Sequence, residues 1–158
     1  MTDGEPGGPS QAAEIAHASL RGAIAAAAMT GMRAFTVDAG LVDQTPPQAI
    51  AKQRARGLLR RIPRGRRRAA IELAHWSYGA VSGAAYAVLP EGLRRQAWSG
   101  PTYGLLVWVG FELCLAPVLG LKQAKKQRPA ERAALAADHL LYGLVLSEIR
   151  ARPQETGR

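Results

Sequence analysis

A fourteen-residue pattern that occurs twice constrains the fold of this chain more than any other feature. Residues 68–81 read R-A-A-I-E-L-A-H-W-S-Y-G-A-V, and residues 132–145 read R-A-A-L-A-A-D-H-L-L-Y-G-L-V. Aligned without a gap, the two stretches are identical at seven positions, which include a shared His-x-x-Tyr-Gly order. Because 158 residues is the length of one domain, we interpret the pattern as a duplication inside a single fold.

Four largely apolar segments divide the chain, and each has the length of a helix that crosses a bilayer. A transmembrane helix needs about 20 residues, and the segments are interrupted only by single ionisable residues. They lack the continuous polar stripe of a soluble amphipathic helix. The segments cover approximately residues 20–42, 69–89, 101–121 and 133–149. We therefore expect an all-α fold of four transmembrane helices, built as two parallel helical-hairpin repeats at about 20–89 and 101–149.

A single predicted domain, residues 15–150, lies between two tails. Residues 1–14 are rich in Gly and Pro and carry three acidic residues but no Lys or Arg. A signal peptide would begin with basic residues, so we expect a disordered acidic tail there instead. Residues 151–158 are expected to form a second disordered tail.

Basic residues concentrate in two of the predicted connections. The formal net charge is +9 at pH 7 and the pI is near 10.6, which favours an anionic partner such as a lipid surface. Most Lys and Arg residues follow the first and third apolar segments. The positive-inside rule places those connections in the cytoplasm and both termini outside it. We therefore expect a multi-pass protein of the cell inner (cytoplasmic) membrane.

The first connection is expected to contain a short basic amphipathic helix. Thr45, Pro46, Pro47 and Gln48 are typical of a helix start, and apolar and basic residues then follow with helical spacing. Such a helix binds anionic lipid head groups, although a solvated loop that only sets the topology is an alternative. Nucleic acid is not expected, because no aromatic residue is interleaved with the basic ones to stack on bases. The predicted lipid contacts are Lys52, Arg56, Arg60, Arg61, Arg66, Arg67 and Arg68.

Ionisable and tyrosine side chains inside the apolar segments are the candidate functional residues. Aligning Gly31 with Gly110 places Arg33 opposite Glu112, and we predict an ion pair between these two side chains. The duplicated histidines fall at a similar depth from the cytoplasmic side. The predicted intramembrane polar layer comprises Arg33, Glu72, His75, Tyr78, Glu112, His139 and Tyr142.

This polar layer has one structural interpretation and two chemical ones. As a structural feature, it holds the helices in register, and His-x-x-Tyr-Gly is a packing unit. A carboxylate with two histidines can instead relay protons, as in a small transporter or channel subunit. Alternatively, His75 and His139 on different helices can be the axial ligands of a b-type haem. Nothing else in the chain indicates a cofactor.

No sequence pattern indicates an enzyme. The chain has no phosphate-binding loop, no Ser/His/Asp set and no thiolate metal site, so we expect neither catalytic nor metal-binding residues. Small residues at helical spacing, as in Gly79-x-x-x-Gly83, favour close helix packing and a possible homo-oligomer. A soluble basic helical bundle with an anionic partner is the alternative class, because 21% of residues are charged and mean hydropathy is −0.09.

The Gly- and Ala-rich first helix, the Pro-Pro connection and the His-x-x-Tyr-Gly pattern together resemble the YagU-like small bacterial inner-membrane proteins of unknown function. The resemblance covers roughly residues 20–150. It implies a polytopic membrane protein and transfers no known site residue to this chain. The basic segment at 52–68 and the acidic tail have no counterpart in it.

Overall fold

The computed structural model describes residues 10–40, 56–118 and 128–148, and these residues are helical with no strand among them. The predicted all-α fold class is therefore confirmed. Four long helices account for most of the described chain. They are α1 (Gln11–Asp38), α2 (Arg67–Ala87), α3 (Ser99–Val118) and α4 (Pro129–Glu148).

Short elements lie between the long helices. A five-residue helix, Arg56–Arg60, and a 3-10 turn, Arg64–Arg66, precede α2, and the short helix Glu91–Arg94 connects α2 to α3. The basic amphipathic helix predicted for the first connection is thus described only at Arg56–Arg60. Its predicted start at residues 45–48 and Lys52 lie outside the described residues.

A change of helix type interrupts α3 near its end. The α-helix Ser99–Gly110 passes into a π-helical turn, Phe111–Leu115, before a last α-helical turn, Ala116–Val118. Pro117 accounts for the interruption, because proline lacks an amide N–H and its ring clashes with the carbonyl four residues earlier. The longer π-type spacing accommodates the proline without ending the helix.

The first helix begins earlier than the apolar pattern predicts. Ser10 caps it, since the Ser10 Oγ accepts a hydrogen bond of 3.3 Å from the Ala13 amide, and Glu14 lies in the first turn. Residues 10–14, which the sequence assigns to a disordered tail, therefore include the start of α1. The rest of that tail and residues 151–158 lie outside the described residues.

Close contacts between small residues hold neighbouring helices together. α1 runs antiparallel to α2, and a Cβ added at Gly22 would lie 2.9 Å from the Gly83 Cα. In the same way, α3 runs antiparallel to α4, and a Cβ added at Gly104 would lie 3.0 Å from the Gly143 amide nitrogen. α1 also packs on α4. The Gly79-x-x-x-Gly83 face is thus occupied by α1 of the same chain.

The buried positions are mainly small or polar, and the large apolar side chains lie mostly outside. The large apolar side chains that are buried within the described chain are those of Met29, Tyr86, Leu135, Tyr142 and Leu146. Phe35, Val81 and Leu113, by contrast, are largely exposed. Within the described residues one helix, α3, is long and apolar enough to cross a membrane. The mean hydropathy of its most apolar stretch is 1.4, and only 11% of that stretch is buried inside the structure.

Candidate functional site

A cluster of charged and imidazole side chains lies where α1, α2 and α4 meet. Arg33 of α1 places its Nη2 2.8 Å from His75 Nε2 of α2, and its Nε lies 4.0 Å from Asp138 Oδ2 of α4. Arg33 is only 6% exposed and Asp138 only 2%. We call Arg33, His75, Asp138 and the neighbouring His139 the polar cluster.

The contact with Arg33 determines the protonation of His75. A guanidinium group has only N–H donors, so His75 Nε2 must accept this hydrogen bond through its lone pair. The ring proton of His75 therefore lies on Nδ1, and the imidazole is neutral. A positive charge on His75 would place two N–H donors against each other.

The second duplicated histidine has a different partner. His139 Nδ1 lies 2.7 Å from the Leu135 carbonyl oxygen one turn earlier in α4. Because a carbonyl oxygen only accepts hydrogen bonds, this nitrogen carries a proton. His139 Nε2 remains the nitrogen that can accept or bind another group, whereas in His75 the equivalent nitrogen is occupied by Arg33.

Both histidines line one small cavity between the four helices. Its volume is about 10 Å³, which is roughly the space for a single water molecule. Side chains from every long helix surround it, including Met29, His75, Tyr78, Val107, His139 and Tyr142. Four residues of the predicted polar layer, His75, Tyr78, His139 and Tyr142, thus line this cavity, whereas Arg33, Glu72 and Glu112 do not.

The duplicated tyrosines do not have equivalent surroundings. Tyr142 is 3% exposed, and its hydroxyl donates a hydrogen bond of 2.8 Å to the Gly79 carbonyl oxygen of α2. Tyr78 also borders the cavity but remains 43% exposed. Of the two duplicated tyrosines, Tyr142 thus links its helix, α4, to the backbone of α2.

Glu72 belongs to a second polar contact between α1 and α2. Thr30 Oγ1 donates to Glu72 Oε2 over 3.0 Å, and Trp76 Nε1 donates to the same threonine oxygen over 3.2 Å. The carboxylates that act electrostatically on Arg33 are those of Asp138 and Glu72.

The carboxylate that contacts Arg33 is that of Asp138, not of Glu112 as the sequence predicts. Glu112 lies half-buried in the π-helical turn of α3. The pairing rested on an alignment of Gly31 with Gly110, yet a Cβ at either glycine would meet nothing within 4 Å. Neither glycine takes part in a helix contact, so the structure offers no packing contact that supports this alignment. The sequence analysis missed Asp138, although its place beside the duplicated His139 could have pointed to it.

The histidine pair does not fit a haem group. The cavity that the two histidines share is far smaller than a porphyrin, and the Nε2 lone pair of His75 accepts from Arg33. Within the described residues no group of three or more His, Cys, Asp or Glu side chains could hold a metal ion.

The predicted lipid-contact residues gather near the start of α2. Arg60, Arg61, Arg66 and Arg68 are exposed, while Arg67 is half-buried and its Nε donates to the Ile62 carbonyl oxygen over 3.0 Å. The Arg56 backbone begins the short helix. α2 and α4 start at the same end, so the exposed Arg128 and Arg132 lie at this end too. We call it the basic end.

No protein-family model, no curated protein and no solved structure matches the chain. The resemblance to YagU-like proteins stays a prediction.

Proposed function

We propose that this chain is an integral membrane protein whose four long helices cross the bilayer as a bundle and enclose an internal polar site. The observation that carries the proposal is that many large apolar side chains lie outside and not inside, the reverse of what is usual in a water-soluble protein. Glycine, alanine, serine, arginine and aspartate supply many of the buried contacts between helices, beside a few large side chains such as Met29, Tyr86 and Leu146, whereas many leucine and valine side chains lie outside. In water, so much exposed apolar surface is unfavourable; in lipid it is the expected exterior.

Helix lengths support the same proposal. α2 has 21 residues and α3 and α4 have 20 each, which at about 1.5 Å per residue gives roughly 30 Å, the thickness of the hydrocarbon core. α3 is sufficiently apolar by itself, while α1, α2 and α4 carry the polar cluster. Those three helices direct these polar side chains toward one another and not toward the outside, as is usual in transmembrane bundles.

The contacts also support two parallel hairpin repeats. In the first hairpin Gly22 lies against Gly79 and Gly83. In the second, Gly100 lies against Gly143 and Ser147, which occupy the positions equivalent to those two glycines in the duplicated pattern. Matching positions thus form the helix contact within each hairpin, as expected when one hairpin has been duplicated.

We expect the protein to stay in the membrane fraction when membranes are washed with alkaline carbonate. The reagent strips peripheral proteins but leaves chains whose apolar exterior is embedded in lipid. Immunoblotting of pellet and supernatant measures the result, with a known peripheral protein as the control. Release into the supernatant would favour the soluble basic bundle with an anionic partner.

Charge at the two ends supports an orientation with the basic end in the cytoplasm. At the basic end Arg60, Arg61 and Arg68 are exposed, and they suit anionic lipid head groups. At the opposite end Arg94 Nη2 lies 3.3 Å from Glu14 Oε2, and Arg95 lies 2.7 Å from a Glu91 oxygen, so positive charge there is offset.

A reporter that is active only outside the cytoplasm is therefore expected to be active when fused to the C-terminus. The positive-inside rule provides the physical reason, because α4 begins at the basic end and runs away from it. A reporter active only in the cytoplasm, fused at the same place, serves as the control. Activity of that second reporter would reverse the proposed orientation.

A further inference from the structure

The two hairpins leave a gap between α2 and α3. Within the described chain α2 packs along α1 and α3 packs along α4, but α2 and α3 do not pack along each other. Tyr103 of α3 joins them near the end opposite the basic end. Its hydroxyl donates a 2.7 Å hydrogen bond to the Ser82 carbonyl oxygen, and its ring centroid lies 5.0 Å from that of Tyr86. The gap therefore lies on the basic-end side of this contact.

The small cavity between the four helices opens into this gap. It is partly open to the outside, and Tyr78, which is 43% exposed, is the residue of its lining that reaches the surface. Tyr78 lies one turn before Ser82 on α2, and Val107, which also lines the cavity, lies one turn after Tyr103 on α3. Further along α3, a Cβ at Gly110 would meet nothing within 4 Å. We call the space between Tyr78, Val107 and Gly110 the α2–α3 groove.

Two histidine nitrogens beside the cavity are free to form hydrogen bonds. His75 Nδ1 carries a proton, because Nε2 accepts from Arg33, and His139 Nε2 has a lone pair, because Nδ1 donates to the Leu135 carbonyl oxygen. Neither nitrogen has a partner among the described residues. Neither is one of the fully buried atoms without a partner, so both keep some accessible surface. The cavity thus offers one donor and one acceptor.

The size and depth of the cavity limit what can bind there. A volume of about 10 Å³ has space for one oxygen atom and its hydrogen but not for a carbon skeleton, which would have to lie in the α2–α3 groove. Tyr78 and Gly79 are near the middle of α2, so a charged head group would be unfavourable at this level of a bilayer. A neutral hydroxyl matches the two histidine nitrogens, because it accepts one hydrogen bond and donates another.

We propose that the α2–α3 groove binds a neutral long-chain alcohol from the surrounding membrane. Its hydroxyl enters the cavity, where it accepts from His75 Nδ1 and donates to His139 Nε2. Its apolar chain lies in the groove against Val107 and Gly110. The proposal rests on the transmembrane arrangement proposed above, because the groove faces lipid only in that arrangement.

Photolabelling of the full chain in its membranes tests this proposal. The probe is hexadecanol with a diazirine on its chain, and the control is the methyl ether of the same molecule, which has no hydroxyl hydrogen to donate to His139. Mass spectrometry locates the labelled residues. We expect the alcohol to label Tyr78 or Val107 and unlabelled hexadecanol to suppress this labelling. The ether should label them at least about five times less, because it leaves the His139 acceptor unpaired.

Two valine substitutions on α3 provide a matched pair of variants. Val107→Phe places a larger side chain in the groove and should abolish the labelling of Tyr78 that hexadecanol suppresses. Val109→Phe makes the same change at a side chain that is 39% exposed and does not line the cavity, so this labelling should be unchanged. The ether control uses the unaltered chain, so it decides the result if Val107→Phe does not fold.

Exposed apolar residues outside the groove separate the failure of the site from the failure of the membrane proposal. Leu113 is 71% exposed and Val81 is 69% exposed, and both probes should label them from lipid without competition. If neither is labelled, the membrane proposal fails and the site fails with it.

If Leu113 and Val81 are labelled, three results would overturn the site alone. Labelling of Tyr78 and Val107 that hexadecanol does not suppress would show a groove filled by lipid at random. Equal labelling of the groove by alcohol and ether would show that the hydroxyl is not recognised. Protection of the groove from both probes would show that protein, such as a second copy of the chain, covers it.

Discussion

Replacing Arg33 alone with leucine is expected to remove most of the folded protein, because the substitution leaves Asp138 as a buried charge without its counter-ion. Breaking a buried ion pair by removing one partner costs roughly 3–5 kcal/mol, and Asp138→Leu should have a loss of the same size. The double variant, Arg33→Leu with Asp138→Leu, should recover much of the folded yield, since replacing both charges by apolar side chains is often nearly neutral. Yield of monodisperse protein after detergent extraction measures each effect.

Glu112 provides the control for this cycle, because it is the carboxylate that the sequence alone assigned to Arg33. Combining Glu112→Leu with Arg33→Leu should give losses that add, as they do for residues that do not interact. Additive losses for Arg33 and Asp138, together with recovery in the Arg33–Glu112 double variant, would restore the pairing predicted from the sequence.

Two glycines of α3 are expected to respond in opposite directions to the same substitution. A Cβ at Gly104 would lie 3.0 Å from the Gly143 amide nitrogen and would also meet the His139 carbonyl oxygen, so Gly104→Ala forces α3 away from α4. Overpacking of this kind typically costs about 1–3 kcal/mol. At Gly110 a Cβ would meet nothing within 4 Å, and Gly110→Ala should stabilise the helix by about 0.5–1 kcal/mol.

Thermal unfolding of both variants in the same detergent gives the comparison. Since the residues lie in one helix and the substitution is identical, the difference reports the helix contact and not intrinsic helix propensity. Equal shifts for Gly104→Ala and Gly110→Ala would contradict the close approach of α3 to α4.

Much of the architecture follows from patterns that are visible in the chain itself. Apolar segments of helical length predict the all-α class, and the duplicated His-x-x-Tyr-Gly pattern predicts that His75 and His139 lie at one level. Both histidines do line one cavity. The early start of α1 was missed because the turn after Ser10 is mainly polar and small, so the apolar pattern does not extend to it.

Which residues contact each other was harder to predict, because identical motifs have different neighbours. His75 and His139 are equivalent in the duplicated pattern, yet His75 accepts from Arg33 of α1 and His139 bonds to the Leu135 carbonyl of its own helix. The sequence shows which glycines exist but not which of them pack, and Gly31 and Gly110 illustrate the error that results. Asp138 could be assigned to Arg33 only after α1 was found to pack on α4.

The hydrogen bond between Arg33 and His75 also bears on the order in which the protein is made. α1 and α2 leave the ribosome before α4, so in the proposed membrane arrangement Arg33 would enter the bilayer before α4 does. In that interval His75, in the same hairpin, supplies an acceptor 2.8 Å from the guanidinium. A hydrogen-bonded arginine is less costly to hold in lipid than an isolated one. In the proposed arrangement, His75 would therefore stay bonded to the arginine during membrane insertion, and the carboxylate of α4 would join them once the last helix is inserted.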